Sequence, residues 1–164
     1  MKVSASLIVG NTDEYRVGFE TIGTGFLPED AFEYLKEEKI EIVEVLLERV
    51  KGSTSTNIAI LSEISNIIFR FFTDNKSVIL YFFCDDLNEI PCSGKEIEPQ
   101  AYRSRLFSAM YNRFITNHHT QDIENVSICI DALGRNQYLH FIARNHHLKY
   151  VEFIQRNIEE VYLK

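Results

Sequence analysis

Two aspartates and two arginines are the strongest candidates for a ligand-binding site. Asp85 and Asp86 follow the apolar run 78–84, and Arg103 and Arg105 stand near the start of the next helical pattern. Strand ends and helix starts often form the mouth of a cleft, and guanidinium groups bind phosphates and carboxylates. The pattern predicts a site for a small anionic or nucleotide-like ligand. The alternative is that one aspartate pairs with an arginine and only anchors the loop, since adjacent strand residues point to opposite faces.

Cysteine and histidine chemistry has less support. Cys84 would be a nucleophile if His140 lay beside it in a sheet, but no local signature marks this pair, and a packed cysteine is the commoner structure. The tripeptide Asn-His-His occurs at 117–119 and at 145–147. No histidines stand four residues apart, and adjacent histidines diverge, so helix capping is favoured over metal binding. The sequence predicts no metal and no cofactor.

Motifs and composition argue against several classes of function. Gly23-Thr-Gly25 lacks the third glycine and the lysine of a phosphate-binding loop, and neither G-x-S-x-G nor H-E-x-x-H occurs. The sequence therefore favours a protein that is not an enzyme. A net charge of −7 argues against nucleic acid or a membrane surface as the main partner. The three cysteines form no disulfide or zinc pattern, and no apolar run has signal-peptide or membrane-spanning length, which predicts a cytoplasmic protein.

Hydrophobic periodicity predicts the elements that must position these residues. The 164 residues have ordinary apolar (45%) and charged (25%) fractions, which predicts a single globular domain over 1–164 with an aromatic core. Alternation predicts a hairpin over 3–21, and a continuous apolar run predicts a strand covered on both faces at 77–84. Further strands are expected at 126–130 and 138–142, and helices at 58–72, 100–117 and 148–163.

The segment 29–50 is ambiguous. Residues 28–39 can begin a helix, with Pro28 near its first turn. Residues 40–50 have helical spacing but five Ile or Val, so a third antiparallel strand is preferred and a continuous 29–50 helix is the alternative. The order becomes β-β-(α)-β-α-β-α-β-β-α. This order indicates an α+β protein with a mostly antiparallel mixed sheet and helices packed against it.

The chain resembles a family of small bacterial α+β proteins known only as a domain of unknown function. The resemblance rests on Asn57–Phe107, with its Cys84-Asp85 strand end and Arg103-x-Arg105-Leu-Phe107, and on the segments 15–19 and 142–145. The loop 87–99 is longer than in the family, and His146 replaces its usual proline. The resemblance implies the fold and supports the strand at 40–49, but it implies no activity. With Arg144 from the last strand end, the candidate ligand-binding set is Asp85, Asp86, Arg103, Arg105 and Arg144.

Two functions follow as expectations. The missing catalytic motifs and the acidic composition predict a non-catalytic binding module that engages another protein, in the manner of antitoxin, immunity or regulatory proteins; this comparison is an analogy. The alternative is a binder or enzyme acting on a small anionic or nucleotide-like ligand at the Asp/Arg cleft. A homodimer is a further possibility, with an edge strand of the N-terminal hairpin pairing across a two-fold axis.

Overall fold

A computed structural model describes residues 2–9, 13–22, 27–51, 58–84, 98–132 and 134–162. The elements follow the predicted α+β order, and a short 3₁₀ turn at Asn145–His147 precedes the last helix. Their bounds are β1 Lys2–Val9, β2 Asp13–Thr21, α1 Glu29–Glu37, β3 Glu41–Lys51, α2 Ile58–Asp74, β4 Val78–Cys84, α3 Pro99–His118, β5 Ile123–Ala132, β6 Arg135–Arg144 and α4 Leu148–Tyr162.

The described strands form one six-stranded mixed sheet in the order β1-β2-β3-β4-β6-β5. Four of its five pairings are antiparallel, and β3 and β4 run parallel. Parallel neighbours need a crossover connection, and α2 supplies it. At the β5–β6 turn Gly134 has a φ of 78°, a left-handed conformation that costs glycine little and other residues more.

The strand β4 is central, as its unbroken apolar sequence predicts. Val78, Leu80 and Phe82 face the core under α2 and α3, whereas Ile79 and Tyr81 face a second core under α1 and α4. Leu80 is 0% exposed. The strand is therefore covered on both faces, because neighbouring side chains alternate between two apolar layers.

The ambiguous segment is a helix followed by a strand, which confirms the preferred interpretation over a single 29–50 helix. The helix α1 stops because Lys39 adopts a left-handed conformation with a φ of 58°. The amide N–H of Ile40 then donates to the Leu35 carbonyl at 2.9 Å, which closes the helix end. From there β3 alternates, and it pairs antiparallel with β2 over most of its length.

Stacked phenylalanine pairs tie helices to strands and to each other. Phe82 of β4 stacks on Phe107 of α3 with ring centroids 4.3 Å apart. Phe69 of α2 stacks on Phe114 of α3 at 4.1 Å. Each pair adds about 0.5–1.5 kcal/mol beyond the apolar area that it buries. These pairs fix α3 over β4 and β6, and this placement determines which polar side chains of α3 meet the sheet.

Candidate functional site

The predicted mouth between aspartates and arginines is described on one side only. Asp85 and Asp86 lie outside the described residues. Arg103 and Arg105 are two positions apart on α3, so they point to different sides of the helix, about 200° apart. Arg103 is buried with its guanidinium carbon 5.8 Å from the Phe82 ring centroid, and Arg105 is exposed. The structure therefore brings Arg103, and not Arg105, to the central strand.

Arg144 lies elsewhere and binds the end of a helix. Its guanidinium donates to three main-chain carbonyls at the end of α2: Phe72 at 2.5 Å, Lys76 at 3.1 Å and Asn75 at 3.3 Å. Burial lowers the pKa of this group, and nearby Asp122 partly opposes the shift. Since His140 pairs with Phe82 and Arg144 follows four residues later, Arg144 lies about 13 Å further along β6. The structure does not bring it to Arg103.

The structure does not place Cys84 directly opposite His140 either. In the β4–β6 register Cys84 stands opposite Tyr138, whereas His140 stands opposite Phe82. Cys84 is fully buried, as expected for a packed cysteine. Both nitrogens of the His140 ring instead bond to side chains from two other elements.

These partners are Ser104 of α3 and Asn125 of β5. The Ser104 Oγ lies 2.7 Å from His140 Nε2, and the Asn125 Oδ1 lies 2.9 Å from His140 Nδ1. Because an amide oxygen only accepts, Nδ1 carries the proton and donates to Asn125. The unprotonated Nε2 then accepts from the Ser104 hydroxyl. Ser104 and Asn125 are not among the residues predicted from the sequence, since neither lies in a motif and the three residues meet only in the tertiary structure.

Burial sets the charge of this imidazole. His140 is 1% exposed, and desolvation lowers its pKa from 6.5 to about 4. The Phe107 ring lies 5.2 Å from the imidazole, centroid to centroid, and adds to its apolar surroundings. The ring is therefore neutral at physiological pH and keeps Nε2 available as an acceptor.

Another buried polar group lies one helical turn before Ser104. Gln100 is 1% exposed, and its Nε2 donates to Glu98 Oε2 at 2.9 Å. Its Oε1 has no hydrogen-bond partner among the described residues. Positions 100 and 104 share one face of α3. We call Gln100, Arg103, Ser104, Asn125 and His140 the α3 polar cluster.

A cleft opens at the opposite end of the sheet, where the parallel strands β3 and β4 begin. Its volume is about 570 Å³, within the range of about 300–1,000 Å³ that holds small-molecule ligands. Its lining contains three lysines and two acidic residues, along with apolar side chains of α1 and β3. The charged members are Lys36, Lys39, Glu41, Asp74 and Lys76. We call it the lysine cleft; none of its lining residues belongs to the predicted set.

None of the described helices covers one part of the sheet. The core under α1 and α4 takes Ile42 from β3 and, among the described side chains, no residue of β2. Five further side chains of β2 and β3 on this side form what we call the open sheet face: Arg16, Glu20, Glu44, Leu46 and Glu48. Their backbones pair in register as Arg16 with Glu48, residue 18 with Leu46, and Glu20 with Glu44.

The open sheet face is acidic and has an apolar centre. Leu46 is 39% exposed. Arg16 donates to Glu48 at 3.4 Å, and both side chains are at least half exposed. Tyr34 is the other large apolar residue that the structure describes as exposed, but its ring packs 4.9 Å from that of Phe153 on α4. Leu46 therefore differs from Tyr34 in lying on a face that no described helix covers.

The histidine pairs form no metal centre among the described residues, where no group of three or more His, Cys, Asp or Glu side chains could hold a metal ion. His119 ends α3 in a left-handed conformation with a φ of 51°. His147 is buried before α4, and burial, followed by the nearby charges of His146, Arg144 and Lys149, lowers its pKa. Within the described ranges, no helix is long and apolar enough to cross a membrane.

Comparison with known proteins adds no assignment. No family model, no curated protein and no solved structure matches the chain. The resemblance to a bacterial family of unknown function therefore stays a prediction. Any function must be argued from the α3 polar cluster, the lysine cleft and the open sheet face.

Proposed function

We propose that the protein is a binding module that engages another protein through its open sheet face. The observation that carries this proposal is Leu46, which is exposed at the centre of a sheet surface that no described helix covers. A large apolar side chain on an otherwise charged strand face contributes little to folding and can bury its surface against a partner. Partner binding thus gives this exposed position a role.

Charge indicates the class of partner. The open sheet face has three glutamates and one arginine, and the whole chain has a net charge of −7. Complementary potentials speed association and suppress wrong partners. A protein with a basic surface and an apolar contact for Leu46 fits this face. Proteins that act on nucleic acids carry such basic surfaces, so an antitoxin-like, immunity-like or regulatory role agrees with the charge, by analogy.

Affinity capture from the native host tests the proposal by comparing the wild-type chain with variants of the open sheet face. We expect the wild-type chain to retain one basic protein in stoichiometric amount. Leu46→Lys and Glu48→Lys should lose it, because the first replaces the apolar contact by a cation and the second reverses a charge at the rim. Glu152→Lys, on the exposed side of α4, makes the same charge change elsewhere and should retain it. No stoichiometric partner, or equal retention by all variants, contradicts the proposal.

A second candidate function is small-ligand binding in the lysine cleft. The observation that favours it is the convergence of Lys36, Lys39 and Lys76 on a cavity of ligand size. An anionic or nucleotide-like molecule is complementary in charge to these lysines. The lysine cleft therefore suits the ligand class predicted from the sequence, but it lies at the opposite end of the sheet from Arg103.

Thermal shift against nucleotides and phosphorylated metabolites tests the lysine cleft. A ligand at one hundred times its dissociation constant stabilises the fold by about 2.7 kcal/mol. Lys36→Glu and Lys76→Glu should each abolish the shift, while Lys149→Glu, which lies outside the cleft lining, should leave it unchanged. Absence of any shift, or a shift that survives both cleft variants, removes this function.

Self-association is a separate proposal. The strand β1 forms one edge of the six-stranded sheet, as the N-terminal hairpin predicts. An edge strand can pair with a second copy across a two-fold axis. We expect light scattering to report twice the monomer mass at high concentration, and a monomer at all concentrations contradicts the proposal.

A further inference from the structure

We propose that Ser104 is a nucleophile activated by His140, and that the α3 polar cluster is an acyl-transfer centre for activated esters. The substrate class is a thioester or aryl ester that carries an N–H or O–H donor near its carbonyl. This activity goes beyond partner binding, uses a different part of the molecule, and can be tested independently of the open sheet face.

The geometry meets the requirements for a nucleophile, a base and a positioning residue. The Ser104 Oγ is within 2.7 Å of the imidazole nitrogen that would take its proton, and Asn125 holds the other ring nitrogen at 2.9 Å. The three residues come from α3, β6 and β5, so packed elements fix their positions. Ser104 and Asn125 are half-buried, whereas His140 is buried.

The proposed step balances without a cofactor. The Ser104 Oγ attacks the acyl carbonyl carbon, and its proton passes to His140 Nε2. The carbonyl re-forms as the bond to the leaving sulfur or oxygen breaks, and the imidazolium returns the proton to that leaving group. Water then attacks the acyl-serine, again giving a proton to Nε2, and releases the carboxylic acid and the serine hydroxyl.

The weak base determines the class of leaving group. An imidazole with a pKa of about 4 is about 300-fold less basic than an ordinary histidine, because 6.5 minus 4 is 2.5 logarithmic units. Asparagine cannot offset this, since it carries no negative charge for the imidazolium. A carbonyl with a good leaving group reacts with a less strongly activated hydroxyl, whereas an amide does not. Thioesters and aryl esters therefore fit, and peptides do not.

Gln100 supplies the recognition element. Its buried Oε1 has no hydrogen-bond partner among the described residues, and it shares the Ser104 face of α3 one turn away. A buried acceptor without a donor costs about 1–3 kcal/mol. A substrate N–H or O–H placed one helical turn from the acyl carbonyl would satisfy it. The unsatisfied Gln100 Oε1 is independent of the Ser104–His140 hydrogen bond.

Acylation of the full chain by p-nitrophenyl acetate is the test. We expect p-nitrophenol release to accompany one acetyl group per chain, located on Ser104 by peptide mass spectrometry. Ser104→Ala should lose the adduct, and Ser77→Ala, at an exposed serine just before β4, should keep it. His140→Gln should slow acylation at least about 100-fold, which is the lower end of general-base contributions. Circular dichroism checks that each variant is folded.

A substitution at Asn125 tests whether the hydrogen-bond network acts in acylation or is purely structural, because only the first changes the pH dependence of the rate. Asn125→Asp puts a carboxylate beside Nδ1 and raises the basicity of the ring. Acylation should then become about tenfold faster or more at pH 8, and its pH midpoint should move up toward neutrality, while the wild-type rate stays flat from pH 5.5 to pH 8. The proposal is overturned if wild-type Ser104 takes no acetyl group, or if His140→Gln is acetylated there as fast as wild type.

Discussion

Burial of the His140 imidazole predicts how much the free energy of unfolding falls at acid pH. In the native state its pKa is about 4, because burial disfavours the charged ring, whereas an unfolded histidine has a pKa near 6.5. Above pH 6.5 both states hold a neutral ring, so the contribution to stability is fully present. As the pH falls below 6.5, the unfolded chain binds a proton that the native chain does not, and stability is lost progressively until about pH 4.

The size of the loss follows from this difference. Below pH 4 the full effect is about 3 kcal/mol, because the native pKa is about 4 rather than 6.5 and each tenfold change in acid strength corresponds to about 1.4 kcal/mol. At pH 5 the unfolded ring is almost wholly protonated and the native ring mostly neutral, which gives about 2 kcal/mol. Solvent screens the ring little, because the side chain is 1% exposed.

Urea denaturation at pH 7.5 and pH 5 measures the effect, with His140→Gln as the matched control. Glutamine keeps a polar side chain but cannot titrate. Every other titratable group is common to the two proteins, so its contribution cancels in the difference. We expect the wild-type chain to lose about 2 kcal/mol more than the variant between the two pH values. Equal losses, or an NMR titration that puts the His140 pKa above 6, would show that burial does not keep the native ring neutral.

Three further predictions concern folding. Leu80→Asp should abolish soluble folding, because an unpaired carboxylate at a position that is 0% exposed costs several kcal/mol, comparable to the stability of a whole domain; recovery of a soluble protein with an unchanged melting temperature would mean that β4 is not central. Arg144→Met should destabilise by about 2–4 kcal/mol in urea denaturation, because three carbonyls in and just after the last turn of α2 lose a charged donor; a loss below about 0.5 kcal/mol would show that these hydrogen bonds are dispensable. Lys39→Gly should stabilise by up to about 1 kcal/mol, because glycine tolerates the left-handed φ of 58°; the same change at Lys36, inside the helix, should destabilise, and a similar effect at both positions would contradict this account.

Local patterns predicted the elements because periodicity and turn chemistry act over short stretches. The apolar run at 77–84 predicted a strand buried on both faces, and Leu80 and Ile79 indeed enter opposite cores. The hairpins, the helix from residue 58 and the final helix are likewise local in origin. Even the boundary at Lys39 has a local cause, since five Ile or Val among residues 40–50 favour a strand over a longer helix.

The candidate sites depended on contacts between distant residues, which no local pattern encodes. Sequence proximity grouped Arg103 with Arg105, but α3 turns them to different sides, and strand register carries Arg144 to the end of α2. The partners of His140 lie 36 and 15 residues away. The spacing of apolar side chains along the chain is enough to predict which segments are helices and which are strands. Which polar groups meet depends instead on register, on how each helix rotates over the sheet, and on which part of the sheet the described helices leave uncovered.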